Sequence, residues 1–227
     1  MIDPKRLLEQ VLGGSVGGDL QSAGRQIRNR LDQAGGAQSF AGGAVAGGLL
    51  GLLLGGKGAR RMTQGVFGYG GAAVIGALAM RAYQAYQAEQ AGRAVPPLRD
   101  DESVPLPHLV PAADGSPFEL VLVRAMVGAA KADGHIDAAE QRRLFAEVER
   151  MGLDPEAKAY VFDLLTHDVD IGSLATAVAT QEQGAELYLA ARLAIDPDDP
   201  AERAYLDALA TRLRLPPDLR ARLDQSA

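Results

Sequence analysis

The hydrophobic positions of this chain follow two patterns, one in each half. From Ser116 onward, apolar residues recur three and four apart between acidic or proline-bearing breaks, and no run of alternating β-branched residues competes. The spacing predicts a helix from Ser116 to about Ala132, opened by Ser116-Pro-Phe-Glu119 as a capping box and burying Leu120, Val121, Val123, Met126 and Val127. Asp137-Ala-Ala-Glu140 starts a second helix that runs to Met151 and stops at Gly152. Asp154-Pro-Glu starts a third, with Tyr160, Val161, Leu164 and Leu165 as its core face. A short apolar segment follows at 171–179, then a helix over 181–194, then one capped by Asp199-Pro-Ala-Glu202 and ending near Leu215. Pro216 opens a last short helix with Leu219 and Leu223. Six or seven helices with short connections predict an all-α bundle over residues 117–227.

The first half follows a different rule. Asp3-Pro4 starts a short amphipathic helix with Ile2, Leu7, Leu8, Val11 and Leu12 on one side, and no apolar stretch of signal-peptide type follows it. Residues 33–56 and 62–80 then form two runs without a charge, separated by Lys57, Arg60 and Arg61. Each is long enough for a membrane span, which takes roughly 20 apolar residues. Both are so rich in glycine and alanine that the spans are marginal. Gly43, Gly47, Gly51 and Gly55 recur every four residues, a ridge of small residues that lets helices approach closely in lipid. Leu49, Leu50, Leu52, Leu53 and Leu54 argue against a solvated glycine-rich linker. The expectation is a membrane-associated region over 1–92 that self-associates through the glycine ridge. One span, two spans and a re-entrant hairpin fit equally, because basic residues flank both sides of the first run. Residues 93–116 carry Pro96, Pro97, Pro105, Pro107 and Pro111 and read as a semi-rigid tether to the domain at 117–227.

Charge sharpens the division. Residues 1–100 hold 11 Lys and Arg against 6 Asp and Glu, whereas residues 101–227 hold 12 against 23. An acidic chain with 5% aromatics does not suit nucleic acid, whose phosphates recruit basic surfaces. The sequence has no cysteine, which excludes disulfides and thiolate chemistry. Gly51 to Gly58 approaches a phosphate loop but ends in Gly58 where the hydroxyl residue belongs, and no strand precedes it. His108 falls in the tether, His135 in a turn, and His167 beside Asp168 and Asp170 at a helix end, where a cation suits the helix dipole. No nucleophile or acid–base pair stands out, so the expectation is a non-enzymatic protein.

Two acidic turns look alike. Asp133-Gly-His-Ile-Asp137-Ala-Ala-Glu140 and Asp196-Pro-Asp198-Asp199-Pro-Ala-Glu202 each end an apolar helix and start another with D-x-x-E. Capping accounts for Asp137, Glu140, Asp199 and Glu202. It leaves Asp133, Asp196 and Asp198 as extra carboxylates. If the two turns met, these seven residues would offer oxygen ligands to Ca²⁺ or Mg²⁺, although the spacing is not that of an EF-hand.

The run Ala130–Glu140 (AKADGHIDAAE), the acidic repeat at Asp196–Glu202 and Tyr205-Leu-x-x-Leu-Ala210 resemble the tellurite-resistance TerB-like helical domain, from Phe118 to about Leu223. With a glycine-rich apolar half before it, the architecture resembles the YebE-like group of bacterial inner-membrane proteins. The resemblance implies a TerB-like bundle and a bacterial inner-membrane location with the acidic domain on the cytoplasmic side. It places the family's acidic positions on Asp133, Asp137 and Glu140, with Asp199 and Glu202 as their partners. Similar domains sit on a membrane-anchored DnaJ-like co-chaperone and in stress-response systems. The expected partners are membrane lipid, further copies of the chain and a protein that meets the acidic domain. The expected function is a membrane-anchored interaction or scaffold module responsive to divalent cations; the alternative is an oligomeric pore-forming or membrane-remodelling protein driven by the glycine ridge.

Overall fold

Aspartate and threonine caps, several followed by proline, set most of the helix starts. The computed structural model describes residues 2–12, 71–93, 106–132, 153–195 and 199–227, together with residues 142, 145, 146, 148 and 149. Among the described residues it is all-α, with eight α-helices and one 3₁₀ turn. Helix α1 (Pro4–Val11) begins where Asp3 accepts from the Arg6 amide at 3.1 Å, and Pro4 takes the first-turn position that needs no amide donor. Helix α2 (Gly71–Gln90) ends at Gly92, whose φ of +61° lets the Arg93 amide reach back to the Ala88 carbonyl at 2.8 Å. A 3₁₀ turn (Pro107–Leu109) leads to α3 (Phe118–Ala130). Helix α4 (Pro155–Thr166) is capped by Asp154, α5 (Ile171–Ala177) by Asp170, α6 (Gln181–Leu193) by Thr180 and α7 (Pro200–Arg212) by Asp199. Helix α8 (Pro217–Ser226) closes the chain. Each side-chain cap satisfies amides with no partner within the helix and is worth about 1 kcal/mol.

The capping box expected at Ser116 and Glu119 does not form. The Ser116 amide instead donates to Asp114 Oδ1 at 2.9 Å, and α3 starts at Phe118 behind Pro117, whose ring carries no acceptor. Helix α3 is stabilised by burial: Phe118, Val121, Leu122, Val123 and five of the residues from Ala125 to Ala130 lie in the core.

At the centre lies α6, buried without interruption from Gln183 to Ala191 and packed against α2, α3, α7 and α8. A helix buried all round has lost the polar face of a surface helix. Packing runs across the partition expected from the sequence. Ile75, Ala79, Ala82 and Tyr83 of α2, and Leu7, Leu8, Val11 and Leu12 around α1, belong to the same hydrophobic cluster as α3, α6, α7 and α8. Residues 71–80, expected in the second membrane run, are the first half of a helix seated on α6 and α8, and Arg222 of α8 pairs with Glu89 at its far end. The stretch expected as a tether is packed at its C-terminal end, with Pro107 and His108 buried. The physical reason is that an alanine- and glycine-rich helix packs as closely against a protein helix as it would in lipid. No helix among the described residues is long and apolar enough to cross a membrane. The first uncharged run, 33–56, and the ridge Gly43, Gly47, Gly51 and Gly55 lie outside the described residues.

Candidate functional site

A groove of about 450 Å³ opens between α3, α4 and the segment that leads into α5. Helical spacing builds two of its walls. Leu120 and Arg124 stand four apart on α3, and Tyr160, Leu164 and His167 follow one face of α4 and its end. Val121 and Val169 complete an apolar floor, and Asp163, Asp168 and Asp170 stand around it.

The polar groups of this groove differ in how fully they are engaged. Asp170 is committed to helix capping: Oδ1 accepts from the Gly172 amide at 3.1 Å and Oδ2 from the Ser173 amide at 2.8 Å. Asp163 lies 3.0 Å from His167 Nδ1, with both side chains largely exposed. Lys131 Nζ donates to the Leu164 carbonyl at 3.1 Å and the His167 carbonyl at 2.7 Å, a cation on the C-terminal carbonyls of α4 where the helix dipole favours it. Burial lowers the Lys131 pKa, against the attraction of Asp168. Tyr160 donates to the Leu120 carbonyl at 3.1 Å, and burial pushes its pKa up to about 12. Arg124 donates one hydrogen bond, from Nη2 to Ser173 Oγ at 2.7 Å, and forms no ion pair with a carboxylate among the described residues.

A second polar centre lies inside the bundle. His108 Nδ1 sits 2.5 Å from Glu186 Oε1, with the two residues 5% and 0% exposed. Gln183, also fully buried, accepts from the Ala179 amide at 2.8 Å and donates from Nε2 to the carbonyls of Val110 (2.8 Å) and Pro111 (3.1 Å). Those bonds fix the 3₁₀ turn on α6. From the other side α2 presents Gly76, where a Cβ would stand 2.8 Å from Glu186 Oε1 and 2.9 Å from His108 Nδ1. Burial raises the Glu186 pKa, opposed by the hydrogen bond and charge of His108 and reinforced by Glu119 of α3.

Of the residues expected to hold a cation, Asp133, Asp137, Glu140, Asp196 and Asp198 lie outside the described residues. Asp199 and Glu202 are described. Asp199 accepts from the Ala201 amide at 2.7 Å and the Glu202 amide at 3.2 Å, as its capping role predicts, and Glu202 is buried and has a partner. Among the described residues no cluster of three or more His, Asp or Glu is placed to hold a metal ion. Sequence reasoning missed Arg124, whose signal was a single charge within Phe118–Ala130, an otherwise almost wholly apolar helix apart from Glu119. It also missed the Glu186–His108 pair, whose members are 78 residues apart.

The chain is 33% identical over 104 residues to a Yersinia enterocolitica protein described as an uncharacterized protein in the ampR 5'region, a match covering 46% of this chain and 75% of that relative. No solved structure matches it. Residues 39–227, which include the groove, the buried pair and all but the first of the described helices, match the model of the family described as protein of unknown function (DUF533), and the chain belongs to that family.

Proposed function

We propose that this chain is a non-enzymatic interaction module that docks a partner protein in the α3–α4–α5 groove and is attached to a membrane through its glycine-rich segment. The observation that supports docking is Arg124, a half-buried cation in an open groove with one hydroxyl as its hydrogen-bond acceptor among the described residues. Partner surfaces commonly centre on such an arginine, surrounded by apolar area and a charged rim. Attachment rests on the uncharged run 33–56 with its leucine block and glycine ridge. The resemblance to TerB-like domains, and to YebE-like inner-membrane proteins in particular, accords with a scaffold on the cytoplasmic side of the bacterial inner membrane, with Ca²⁺ or Mg²⁺ at the acidic turns as a layer of control.

A photoreactive phenylalanine analogue at Ser116, on the groove wall, tests the docking in cells. The expected result is a discrete adduct from this position and none from Arg203, which is exposed on α7. Equal adducts from both positions, or none from Ser116, would refute the docking. Extraction of membranes with carbonate tests the attachment: the chain should remain in the pellet.

A further inference from the structure

The groove's charges are separated in a way that selects its ligand. Arg124 carries five N–H donors in a planar fork, and one of them reaches a described partner, Ser173 Oγ. None of the three aspartates around it forms an ion pair with Arg124, and one of them, Asp170, is committed to helix capping. Both oxygens of Asp170 hold amides of α5, so turning it toward Arg124 would uncap that helix. Asp163 lies against His167 on the exposed rim, and Asp168 acts on Lys131. The half-buried cation and the exposed anions therefore do not cancel one another by contact.

Each simple ligand class meets an obstacle. A phosphate dianion would suit Arg124 but would lie among three carboxylates. A lone ammonium or guanidinium would suit the rim but would face Arg124. A carboxylate with a cation beside it meets both demands, and a planar carboxylate matches the guanidinium fork with two parallel hydrogen bonds. The apolar floor of Leu120, Val121 and Val169 lies under whatever joins the two charges. A volume of about 450 Å³ is enough for a few side chains of a bound segment.

Resting on the docking just proposed, we infer that the groove recognises an Asp or Glu side chain flanked by Lys or Arg on an extended partner segment. Arg124 receives the carboxylate, and Asp163 and Asp168 receive the neighbouring cation. Ser173 positions Arg124 through its hydroxyl, which in turn donates to the Asp170 carbonyl at 2.7 Å.

The probe is a phage-displayed random heptapeptide library, selected on the full chain in detergent and counter-screened on Arg124→Gln. Enriched peptides should carry an acidic residue next to a basic one. Replacing the peptide's acid by its amide should weaken binding by about tenfold or more, the scale of a charge-assisted hydrogen bond in affinity, and so should Arg124→Gln. Arg124→Lys, which keeps the charge without the fork, should fall between. Asp163→Asn with Asp168→Asn should remove the preference for the basic neighbour and keep that for the acid. Ser173→Ala, which removes the positioning hydroxyl but keeps the guanidinium, should weaken binding less than Arg124→Gln while the acidic preference persists. An unchanged far-ultraviolet circular dichroism spectrum of each variant guards against loss of binding by misfolding. No enrichment, enriched peptides whose carboxylate is dispensable, or equal binding to Arg124→Gln would each overturn the inference. The photocrosslink at Ser116 separates the two readings: an adduct that persists in Arg124→Gln keeps the docking and removes the carboxylate chemistry, whereas no adduct in the native chain removes both.

Discussion

The buried pair and the open groove hold comparable charges and treat them in opposite ways. In the interior, Glu186 meets His108, Gln183 binds the carbonyls around it, and α2 narrows to Gly76 so that its backbone closes over them. In the groove, Arg124 has a serine hydroxyl as its hydrogen-bond acceptor among the described residues, and Asp170 nearby caps a helix. A buried polar group without a partner costs about 1–3 kcal/mol, a cost the interior keeps at Glu186 Oε2 and would raise if His108 were lost, whereas a polar group at an open groove keeps water. The first arrangement is therefore architecture, joining α2, the 3₁₀ turn and α6. The second is capacity left available to a ligand.

Breaking the interior should have the largest effect. His108→Ala leaves Glu186 buried beside Gly76 without its partner, and removing one member of such a pair typically costs about 3–5 kcal/mol. Urea unfolding of the full chain, followed by far-ultraviolet circular dichroism, should show the midpoint falling accordingly. A loss below about 1 kcal/mol, the range of surface pairs, would place His108 and Glu186 with the groove charges and erase the contrast.

Proton dependence sharpens the same contrast with a smaller effect. Glu186 has its pKa raised above the ordinary carboxyl value of 4.5, chiefly by burial. A carboxyl raised in the folded state binds its proton more tightly there than in the unfolded chain. Its contribution is thus fully present below the ordinary value and is lost as pH rises through the raised one. The stability of the native chain relative to Glu186→Gln should decline as pH is raised from about 4.5 toward neutrality. Taking the difference between the two chains removes the carboxylates that titrate the other way, such as Asp114, whose pKa is lowered by its hydrogen bonds to Ser116. A difference that does not change with pH would mean that the interior pair does not govern this part of the profile.

The helix starts at Asp3, Asp154 and Asp199 were legible because a cap is local chemistry, read within three residues of the helix it begins. The all-α class followed from periodicity for the same reason. Helix α2 was legible as a helix, but its packing on α6 was not. Gly76 and Ala79 look alike whether a lipid chain or α6 lies against them, and what decides between the two is a residue more than a hundred positions away. His108 stood in a proline-rich stretch that predicts extension, and its contact with Glu186, with the Gln183 bonds to the carbonyls that follow, makes that stretch part of the core. The groove is a third kind of case. His167, Asp168 and Asp170 read as a helix end in the sequence and also line the groove, but Arg124 meets Ser173 only through the turn from α4 into α5.

The smallest expected change in stability belongs to Arg124→Gln, and its smallness gives it value. The substitution removes one hydrogen bond to Ser173, whose hydroxyl keeps its bond to the Asp170 carbonyl, while Asp170 keeps both amides of α5. Glutamine preserves much of the aliphatic stem that lies along the groove and offers an amide where the guanidinium stood. Nothing is left buried and unpaired, so the unfolding free energy should change by no more than about 0.5 kcal/mol, the range of surface substitutions. The same urea titration used for His108→Ala checks it. A loss of about 2 kcal/mol or more, the scale of a broken buried contact, would show that Arg124 braces α3 against α5 as His108 braces the interior. In that event the groove would be an internal seam of the bundle, and its arginine would be part of the architecture.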